Sequence, residues 1–114
     1  LALYKARKFE AAISAFTEIT TVASSSSLAD NAQYWIGEAY FSMRNYEKSL
    51  QAFTRVFDYP NSNKAPDAHL KVAMIYQVME NRNAAIEELK LVVRDYPSSE
   101  AAKIASAKLQ ALGQ

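Results

Sequence analysis

Few residues of this 114-residue sequence have the types and spacing that catalysis needs. His69 is the only histidine, so a Ser-His-Asp relay would have to use it. It follows Ala68 at the start of a predicted helix, and no nucleophile-elbow motif lies nearby. We expect an ordinary, partly exposed helix residue, and a hydrolase that depends on His69 stays as an alternative from another class of function.

Phosphate and metal binding have equally little support. Gly37 lies inside a predicted helix and Gly113 follows one, so neither glycine belongs to a loop that could cradle phosphate. The densest acidic segment is Glu87-Glu88, but Lys90 can pair with Glu87 and no histidine helps to complete a metal site. The chain has no cysteine, which excludes thiolate chemistry. We therefore predict no catalytic residue, no metal site and no cofactor.

The composition is that of one globular domain without affinity for nucleic acid or lipid. Half of the residues are hydrophobic and 22% are charged, and the length leaves room for a single domain. Thirteen Lys and Arg balance twelve Asp and Glu, so the net charge of +1 offers no attraction for phosphate backbones. The apolar runs are too short to span a membrane. Leu1–Lys8 shows no signal segment, which predicts either a cytosolic chain or a chain without its targeting part. Because the sequence begins in the middle of a repeat, the chain without its targeting part is favoured.

The chain repeats itself with a period of 36 to 37 residues. Residues 9–19 and 46–56 share four identities and nearly every apolar position, and a third copy follows 36 residues later. Paired alanines open the alternate helices, at Ala29 and Ala32, Ala65 and Ala68, and Ala102 and Ala105. Only two glycines and three prolines occur and no segment alternates like a strand, so the chain is predicted to be all helix. The repeats cover approximately residues 1–24, 25–60 and 61–97.

Turn residues set the predicted helix boundaries. Tyr59-Pro60 and Tyr96-Pro97 each stop a helix before the proline, and Asn or Ser then caps the next helix. The serine tract Ser24–Ser27 is expected to form the corresponding first turn. The middle helix end, from Val56 to Tyr59, is one residue shorter than its later counterpart, which predicts a local tightening. The expected elements are a partial helix at Leu1–Arg7 and helices near 9–23, 27–43, 46–58, 62–79, 83–95 and 98–112.

This order predicts an all-α fold of three helical hairpins, the first one truncated at its N-terminus, and a closing helix at 98–112. Small residues occur where the two helices of a hairpin must approach closely: Gly37 and Ala73 in first helices, and Ala12, Ser49 and Ala85 in second helices. No single hairpin can bury both of its faces. Stacking of neighbours is therefore expected to stabilise one domain, residues 1–114, and to curve it into a superhelix with one concave surface.

The arrangement resembles the tetratricopeptide repeat (TPR). The family pattern of small and aromatic residues is readable as Gly37-Tyr40-Ser49-Phe53 and again as Ala73-Tyr76-Ala85-Leu89. These repeats are two or three residues longer than the family's usual length of about 34 residues. Gln33 stands where the family commonly has a bulky apolar residue. Both departures indicate a subfamily, and the resemblance implies a module that binds proteins.

Further motifs resemble the C-terminal domain of the periplasmic, Tol-Pal-associated YbgF/CpoB family. They are Tyr34-Trp35-Ile36-Gly37-Glu38, Tyr59-Pro60 with Lys64-Ala65-Pro66-Asp67-Ala68, and Tyr96-Pro97 with Ser99, Ala102 and Ala105. The resemblance covers essentially the whole chain. It implies a non-catalytic scaffold of the bacterial periplasm that coordinates envelope constriction with peptidoglycan synthesis during cell division. The implied partners are a TolA-type envelope protein and a peptidoglycan synthase, and the intact protein would form an oligomer through an N-terminal coiled coil absent from these 114 residues.

Other TPR proteins remain alternatives. Outer-membrane assembly lipoproteins of the BamD type share the Tyr-Pro-x-Ser turns, so a subunit of that assembly machinery, or another TPR adaptor, would also account for the pattern. A carboxylate clamp for chaperone tails has weaker support, because Ile75 follows Lys71 where a clamp needs a second polar or basic side chain.

The expected binding surface is a concave wall lined by the first helix of each hairpin. Positions 2, 5, 9 and 12 of each repeat share one helical face, and the aromatic, leucine and methionine side chains among them predict a groove for an extended or helical protein segment. For Tyr34 and Leu70, packing between repeats is an equal alternative, and Trp35 is predicted to pack between hairpins. The predicted wall consists of Tyr4, Asn31, Tyr34, Glu38, Phe41, Asp67, Leu70, Lys71, Met74 and Gln77.

Overall fold

Six α-helices and one 3₁₀ helix make up the computed structural model, which describes the backbone of residues 2–22 and 27–114 and the side chains of residues 6–22 and 28–114. The helices are α1 (Ala2–Val22), α2 (Ser27–Ser42), α3 (Tyr46–Arg55), the 3₁₀ helix (Val56–Asp58), α4 (Ala65–Val78), α5 (Arg82–Asp95) and α6 (Glu100–Ala111). No strand occurs among these residues. The predicted all-α fold built from helical hairpins is confirmed.

The chain divides into two compact units, residues 1–64 and residues 65–114. In the first unit α2 packs against α1 and α3, and in the second unit α5 packs against α4 and α6. Each unit therefore contains one complete hairpin, α2 with α3 or α4 with α5, and one further helix. The assignment of residues 1–114 to a single repeat domain stays a prediction.

Both hairpins turn through the same backbone motif. α2 ends where Arg44 adopts the left-handed conformation (φ 61°), and α4 ends in the same way at Glu80 (φ 62°). The next residues, Asn45 and Asn81, donate their backbone N–H groups five residues back to a helix carbonyl, at 2.9 and 2.8 Å. This is the Schellman pattern, and it satisfies carbonyls that a helix end would otherwise leave without a donor.

The asparagine that closes each turn also begins the next helix. Oδ1 of Asn45 accepts a hydrogen bond from the backbone N–H of Lys48, and Oδ1 of Asn81 accepts one from that of Ala84, both at 3.3 Å. Such an N-cap satisfies one of the amides that lack a partner at a helix start. One residue thus ends one helix and starts the next, which keeps the connection short and makes the two helices antiparallel neighbours.

The first helix corrects one predicted boundary. The sequence predicted a partial helix at Leu1–Arg7 and a separate helix near 9–23, but α1 runs without a break from Ala2 to Val22. In the repeat register Lys8 takes the place of the capping Asn45, and a lysine side chain has no acceptor with which to cap a helix. Because the neighbouring residues are good helix formers, nothing ends the helix there. The predicted turn in the serine tract lies outside the described residues, and α2 begins at Ser27.

α4 begins at Ala65 and not at residue 62 as the sequence predicted. The hydroxyl of Ser62 donates to Oδ2 of Asp30 at 2.5 Å and accepts from the backbone N–H of Lys64 at 3.1 Å. The side chain thereby forms a local turn instead of capping the helix. The helix starts after this turn with Pro66 in its first turn, where the missing N–H of proline leaves no helical hydrogen bond unmade.

The predicted tightening after α3 is the 3₁₀ helix Val56–Asp58. The backbone N–H of Val56 donates to the carbonyl of Phe53, which is a bond of the 3₁₀ type. An α-helical bond would have gone to Ala52, whose carbonyl accepts instead from Nε2 of the buried Gln33 at 3.0 Å. The shortened helix end and the buried glutamine are therefore parts of one hydrogen-bond arrangement.

Close approach of α2 and α3 organises the core of the first unit. The fully buried ring of Phe53 lies against Gly37, so that a Cβ atom at Gly37 would come within 2.7 Å of the ring. Beside this contact, the hydroxyl of the fully buried Ser49 donates to the Gly37 carbonyl at 2.8 Å. The small residues that the sequence placed at the helix contact thus meet directly.

The second unit forms the equivalent contact with a different pair of side chains. Leu89 takes the place of Phe53 and Ala73 that of Gly37, and both are fully buried. The alanines of α6 complete this core, at Ala101, Ala102 and Ala105. A leucine in place of the aromatic ring leaves room for the methyl group that the first unit excludes.

Gly37→Ala is expected to lower the free energy of unfolding by about 1–3 kcal/mol, because the added methyl group overlaps the buried ring of Phe53. The higher helix propensity of alanine, about 1 kcal/mol, offsets only part of this loss. Urea unfolding followed by circular dichroism measures the change, with Ser42→Ala on the exposed side of α2 as control. Phe53→Leu should cost less in the Gly37→Ala background than in the parent chain, and equal costs would contradict the assigned overlap.

Arg44→Gly and Glu80→Gly are each expected to raise the free energy of unfolding by about 0.5–1 kcal/mol, since glycine adopts the left-handed conformation without a Cβ penalty. The turn after α6 already contains Gly113 at this position, with φ 78°. Denaturant midpoints measure the gain. Glu87→Gly, exposed within α5, is the control and should lower stability by about 1 kcal/mol. A comparable loss at all three positions would contradict the role given to the left-handed residue.

Candidate functional site

The α2 part of the predicted wall combines one packing residue with three half-buried ones. Tyr34 is 7% exposed, and its ring meets that of Phe53 edge to face with centroids 5.3 Å apart. Asn31, Glu38 and Phe41 are half-buried. The structure therefore places Tyr34 in the core of its own hairpin, whereas the alternative that the sequence left open was packing between repeats.

Asn31 and Phe41 differ in what they offer a partner. Oδ1 of Asn31 is enclosed and accepts no hydrogen bond from the described part of the chain, while the backbone N–H of Asn31 donates to Oδ1 of Asp30 at 2.8 Å. Phe41 packs edge to face on Tyr46, with centroids 5.5 Å apart, so part of its ring stabilises the hairpin. An enclosed acceptor without a donor costs about 1–3 kcal/mol. Asn31 therefore carries an enclosed acceptor on this face that the described residues leave unsatisfied.

The α4 part of the predicted wall, in the second unit, follows the same pattern. Leu70 is 6% exposed and belongs to the buried core, and Met74 is half-buried against that core. Asp67 and Lys71 are half-buried, and Gln77 is exposed. Leu70, like its counterpart in α2, is a packing residue.

The remaining members of the predicted wall keep their binding role as a prediction. The side chain of Tyr4 lies outside the described residues. The α2 and α4 sets belong to different compact units. Each unit presents its own polar or half-buried candidates, and these are Asn31, Glu38 and Phe41 in one and Asp67, Lys71, Met74 and Gln77 in the other.

Trp35 is placed differently from the prediction that it packs between hairpins, because 45% of the residue is exposed. Its ring lies edge-on to that of Tyr34, with centroids 5.5 Å apart, and Nζ of Lys64 lies 5.7 Å from its centroid. Each step along a helix turns the side chain by about 100°. The burial of Tyr34 and Ile36 therefore does not extend to the residue between them.

His69 has the contacts of a structural histidine. Its Nδ1 lies 2.8 Å from Oε2 of Glu88, and the two side chains are 14% and 22% exposed. Its ring centroid lies 6.0 Å from that of Tyr96. The contact with Glu88 joins α4 to α5, so this half-buried pair contributes to the hairpin, in agreement with the prediction of a partly exposed helix residue.

One surface pair at the end of α5 perturbs the titration of its members. The Arg94 guanidinium donates to both carboxylate oxygens of Asp95, at 2.8 and 3.1 Å. These hydrogen bonds hold the pKa of Asp95 below its ordinary value and raise the pKa of Arg94. Both side chains are largely exposed, so the pair is a feature of the surface and marks no site.

Neither a metal cluster nor a membrane span occurs in the part of the chain that the structure describes. No three His, Asp or Glu side chains lie together there in a way that could hold a metal ion. Of the helices described, none combines the length and the apolar character that crossing a bilayer requires.

A cleft of about 240 Å³ opens between α1, α2 and α3 in the first unit. Its lining consists of Thr17 and Thr20 of α1, Gln33, Ile36 and Tyr40 of α2, and Lys48, Ala52 and Arg55 of α3. We call it the basic cleft, because Lys48 and Arg55 are its charged residues. The sequence did not predict this cleft, and the one signal it offers is Gln33, which stands in place of a bulky apolar residue.

Comparison with known proteins gives one family match. A family model described as tetratricopeptide repeat matches residues 31–62 and 67–99, which is more than half of the chain. The first matched segment begins inside α2 and continues through α3, and the second begins inside α4 and continues through α5. No curated protein matches the chain.

Gln33→Leu is expected to lower the free energy of unfolding by about 1–3 kcal/mol, because it removes the donor that satisfies the buried Ala52 carbonyl. Thermal and urea unfolding measure the change. Gln51→Leu, exposed on α3, makes the same substitution without a buried partner and should alter stability little. A more stable Gln33→Leu chain would show that the added apolar burial outweighs the hydrogen bond, and would contradict the stabilising role given to Gln33.

Proposed function

This chain belongs to the tetratricopeptide repeat family, and we propose from that premise that it is a non-catalytic scaffold that binds another protein. Domains of this family are typically interaction modules without catalytic activity. The match covers most of each complete hairpin, so each unit contributes a matched repeat to the proposed function.

The enclosed acceptor of Asn31 is the observation that carries this proposal at the level of a residue. It lies on the face of α2 that the repeat register assigns to partner binding, and its Oδ1 accepts no hydrogen bond from the described residues. A buried acceptor is usually satisfied in folded proteins. Because this oxygen is enclosed in the free chain, the Asn31 side chain has to turn outward on binding, where a backbone N–H of the bound segment satisfies it and gives the face a specific affinity for polypeptide.

We propose further that the partner is a TolA-type protein of the bacterial envelope, and that the chain works in the periplasm with the Tol-Pal system and a peptidoglycan synthase during cell division. The support comes from the residue pattern alone. Tyr34-Trp35-Ile36-Gly37-Glu38 and the two Tyr-Pro turns, at Tyr59-Pro60 and Tyr96-Pro97, occur in the order typical of the YbgF/CpoB family. Oligomer formation through an N-terminal coiled coil belongs to the same proposal.

A subunit of outer-membrane protein assembly, of the BamD type, is the second candidate. The specific observation in its favour is the pair of Tyr-Pro-x-Ser turns that such lipoproteins share. Titration of this chain with a purified TolA-type periplasmic domain, and separately with purified partners of BamD, distinguishes the two functions. Binding to the second set alone would favour outer-membrane assembly.

Asn31→Ala is expected to weaken binding of the TolA-type domain about three- to tenfold, because it removes one hydrogen bond to the bound segment. Isothermal titration calorimetry measures the affinity. Unfolding measurements should show unchanged or higher stability, since the variant also removes an unsatisfied buried acceptor. Gln51→Ala, exposed on α3 outside the predicted face, is the matched control. Unaltered affinity of Asn31→Ala would refute this face as the binding surface.

A further inference from the structure

The basic cleft is assembled by one coherent face of each of its three helices. α3 contributes Lys48, Ala52 and Arg55, which are spaced four and three residues apart and so lie on one side of the helix. α2 contributes Gln33, Ile36 and Tyr40 with the complementary spacing of three and four residues, and α1 adds the hydroxyl-bearing Thr17 and Thr20. The cleft is therefore a regular feature of the helix packing.

The electrostatic character of the cleft is positive. Lys48 and Arg55 are exposed, and neither forms an ion pair with a carboxylate among the described side chains. Two helical turns separate them, a distance of about 10 Å along the axis, so they lie at the two ends of the α3 lining. Nζ of Lys48 lies 5.8 Å from the ring centroid of Tyr40, which holds the ammonium group over the α2 side of the cleft.

The size of the cleft suits a side chain better than a small molecule. Pockets for drug-sized ligands typically enclose about 300–1,000 Å³. The basic cleft, at about 240 Å³, is smaller and is lined by hydroxyl, amide and cationic groups. A carboxylate can accept hydrogen bonds from all of these groups, and charge-assisted bonds from Lys and Arg are the strongest among them.

The basic cleft differs from the predicted wall in its place on α2. Two faces of this helix are involved. The wall includes Asn31, Glu38 and Phe41 on one face, and the cleft includes Gln33 and Tyr40 on the other. With about 100° per residue, the centres of the two faces are about 150° apart. A partner that contacts both would have to wrap around the end or the flank of the first unit.

The second unit contains no equivalent of the cationic pair. In the repeat register Ala84 takes the place of Lys48 and Leu91 that of Arg55. Gln33 is replaced by His69, which contacts Glu88 at 2.8 Å. The two basic residues therefore do not follow from the repeat pattern, which both hairpins share, and they need an explanation specific to the first unit.

We propose that the basic cleft binds an acidic side chain, Asp or Glu, in the protein that this chain holds, with Lys48 and Arg55 as the charged contacts. The proposal rests on the proposed protein-binding function and specifies its partner as one with an acidic segment. Charge complementarity argues for this occupant, because two exposed cations that form no ion pair among the described side chains gain most from a carboxylate supplied in trans.

Titration of the ¹⁵N-labelled chain with a capped hexaglutamate peptide tests the proposal. The amide resonances of Thr20, Lys48 and Arg55 are expected to shift, whereas a hexaglutamine peptide should leave them unchanged. Raising the ionic strength from about 0.1 M to about 1 M, which shortens the screening length from about 10 Å to about 3 Å, should weaken the binding. Lys48→Gln/Arg55→Gln should reduce the affinity at least about tenfold.

The matched control is Lys90→Gln/Lys103→Gln, which removes the same charge from exposed positions in the second unit. An equal loss of affinity in this control would overturn the proposal, because general charge attraction would then explain the binding. Inorganic phosphate is a further probe. If phosphate shifts the cleft resonances and hexaglutamate does not, the proposal of an acidic protein side chain is also overturned.

The same variants separate this proposal from the proposed function. If the TolA-type domain binds the parent chain and Lys48→Gln/Arg55→Gln with equal affinity, the cleft proposal fails and the scaffold function stands. If hexaglutamate binds at the cleft but the TolA-type domain does not bind at all, the cleft proposal is supported and the choice of partner fails.

Discussion

The close approach of α2 and α3 at Gly37 is the constraint on which the first unit depends. A buried aromatic ring, Phe53, lies where any side chain at Gly37 would have to be, and this brings the two backbones close enough for Ser49 to donate to the Gly37 carbonyl at 2.8 Å. The ring of Tyr34 then packs edge to face with the same ring. One missing Cβ atom thus permits an aromatic contact, a buried hydrogen bond and the crossing of the hairpin helices.

The same hairpin shows how a polar residue can replace an apolar one inside a helical repeat. At the 3₁₀ end of α3 the Val56 amide donates to the carbonyl of Phe53. The carbonyl of Ala52 accepts a hydrogen bond from the side chain of Gln33 instead. Gln33 and Ala52 both line the basic cleft, so the shortened end of α3 lies beside an accessible surface feature.

Packing decides which residues of a repeat remain available to a partner. Tyr34 and Leu70 occupy repeat positions that the sequence predicted for the binding wall, yet both are buried in their own units. Asn31 keeps an enclosed acceptor without a hydrogen bond from the described residues, and Lys48 and Arg55 keep their charges accessible. These polar groups lie on two different faces around α2. A protein-binding module with two such faces can distinguish partners by hydrogen bonding on one and by charge on the other.

The amino-acid sequence by itself determined the elements of this protein. The 36- to 37-residue period, the small residues at Gly37 and Ser49, and the turn residues predict helical hairpins in the right register, because local propensity and repeat spacing are properties of the chain. The one-residue deletion after Val56 even predicted the tightened helix end. The sequence also contains the information that α1 is unbroken, since Lys8 stands where the other repeats have a capping asparagine.

Only the tertiary structure decided how far neighbouring side chains cover each face. Helical periodicity places Tyr34 and Asn31 on one side of α2, but the ring of Phe53, which lies 19 residues from Tyr34 in the sequence, determines that Tyr34 is buried. The hydrogen bond from Gln33 to Ala52 likewise requires two helices in place at once, and the opening of the basic cleft requires three. A sequence pattern specifies which side of a helix a residue occupies, whereas exposure depends on contacts between residues far apart in the chain.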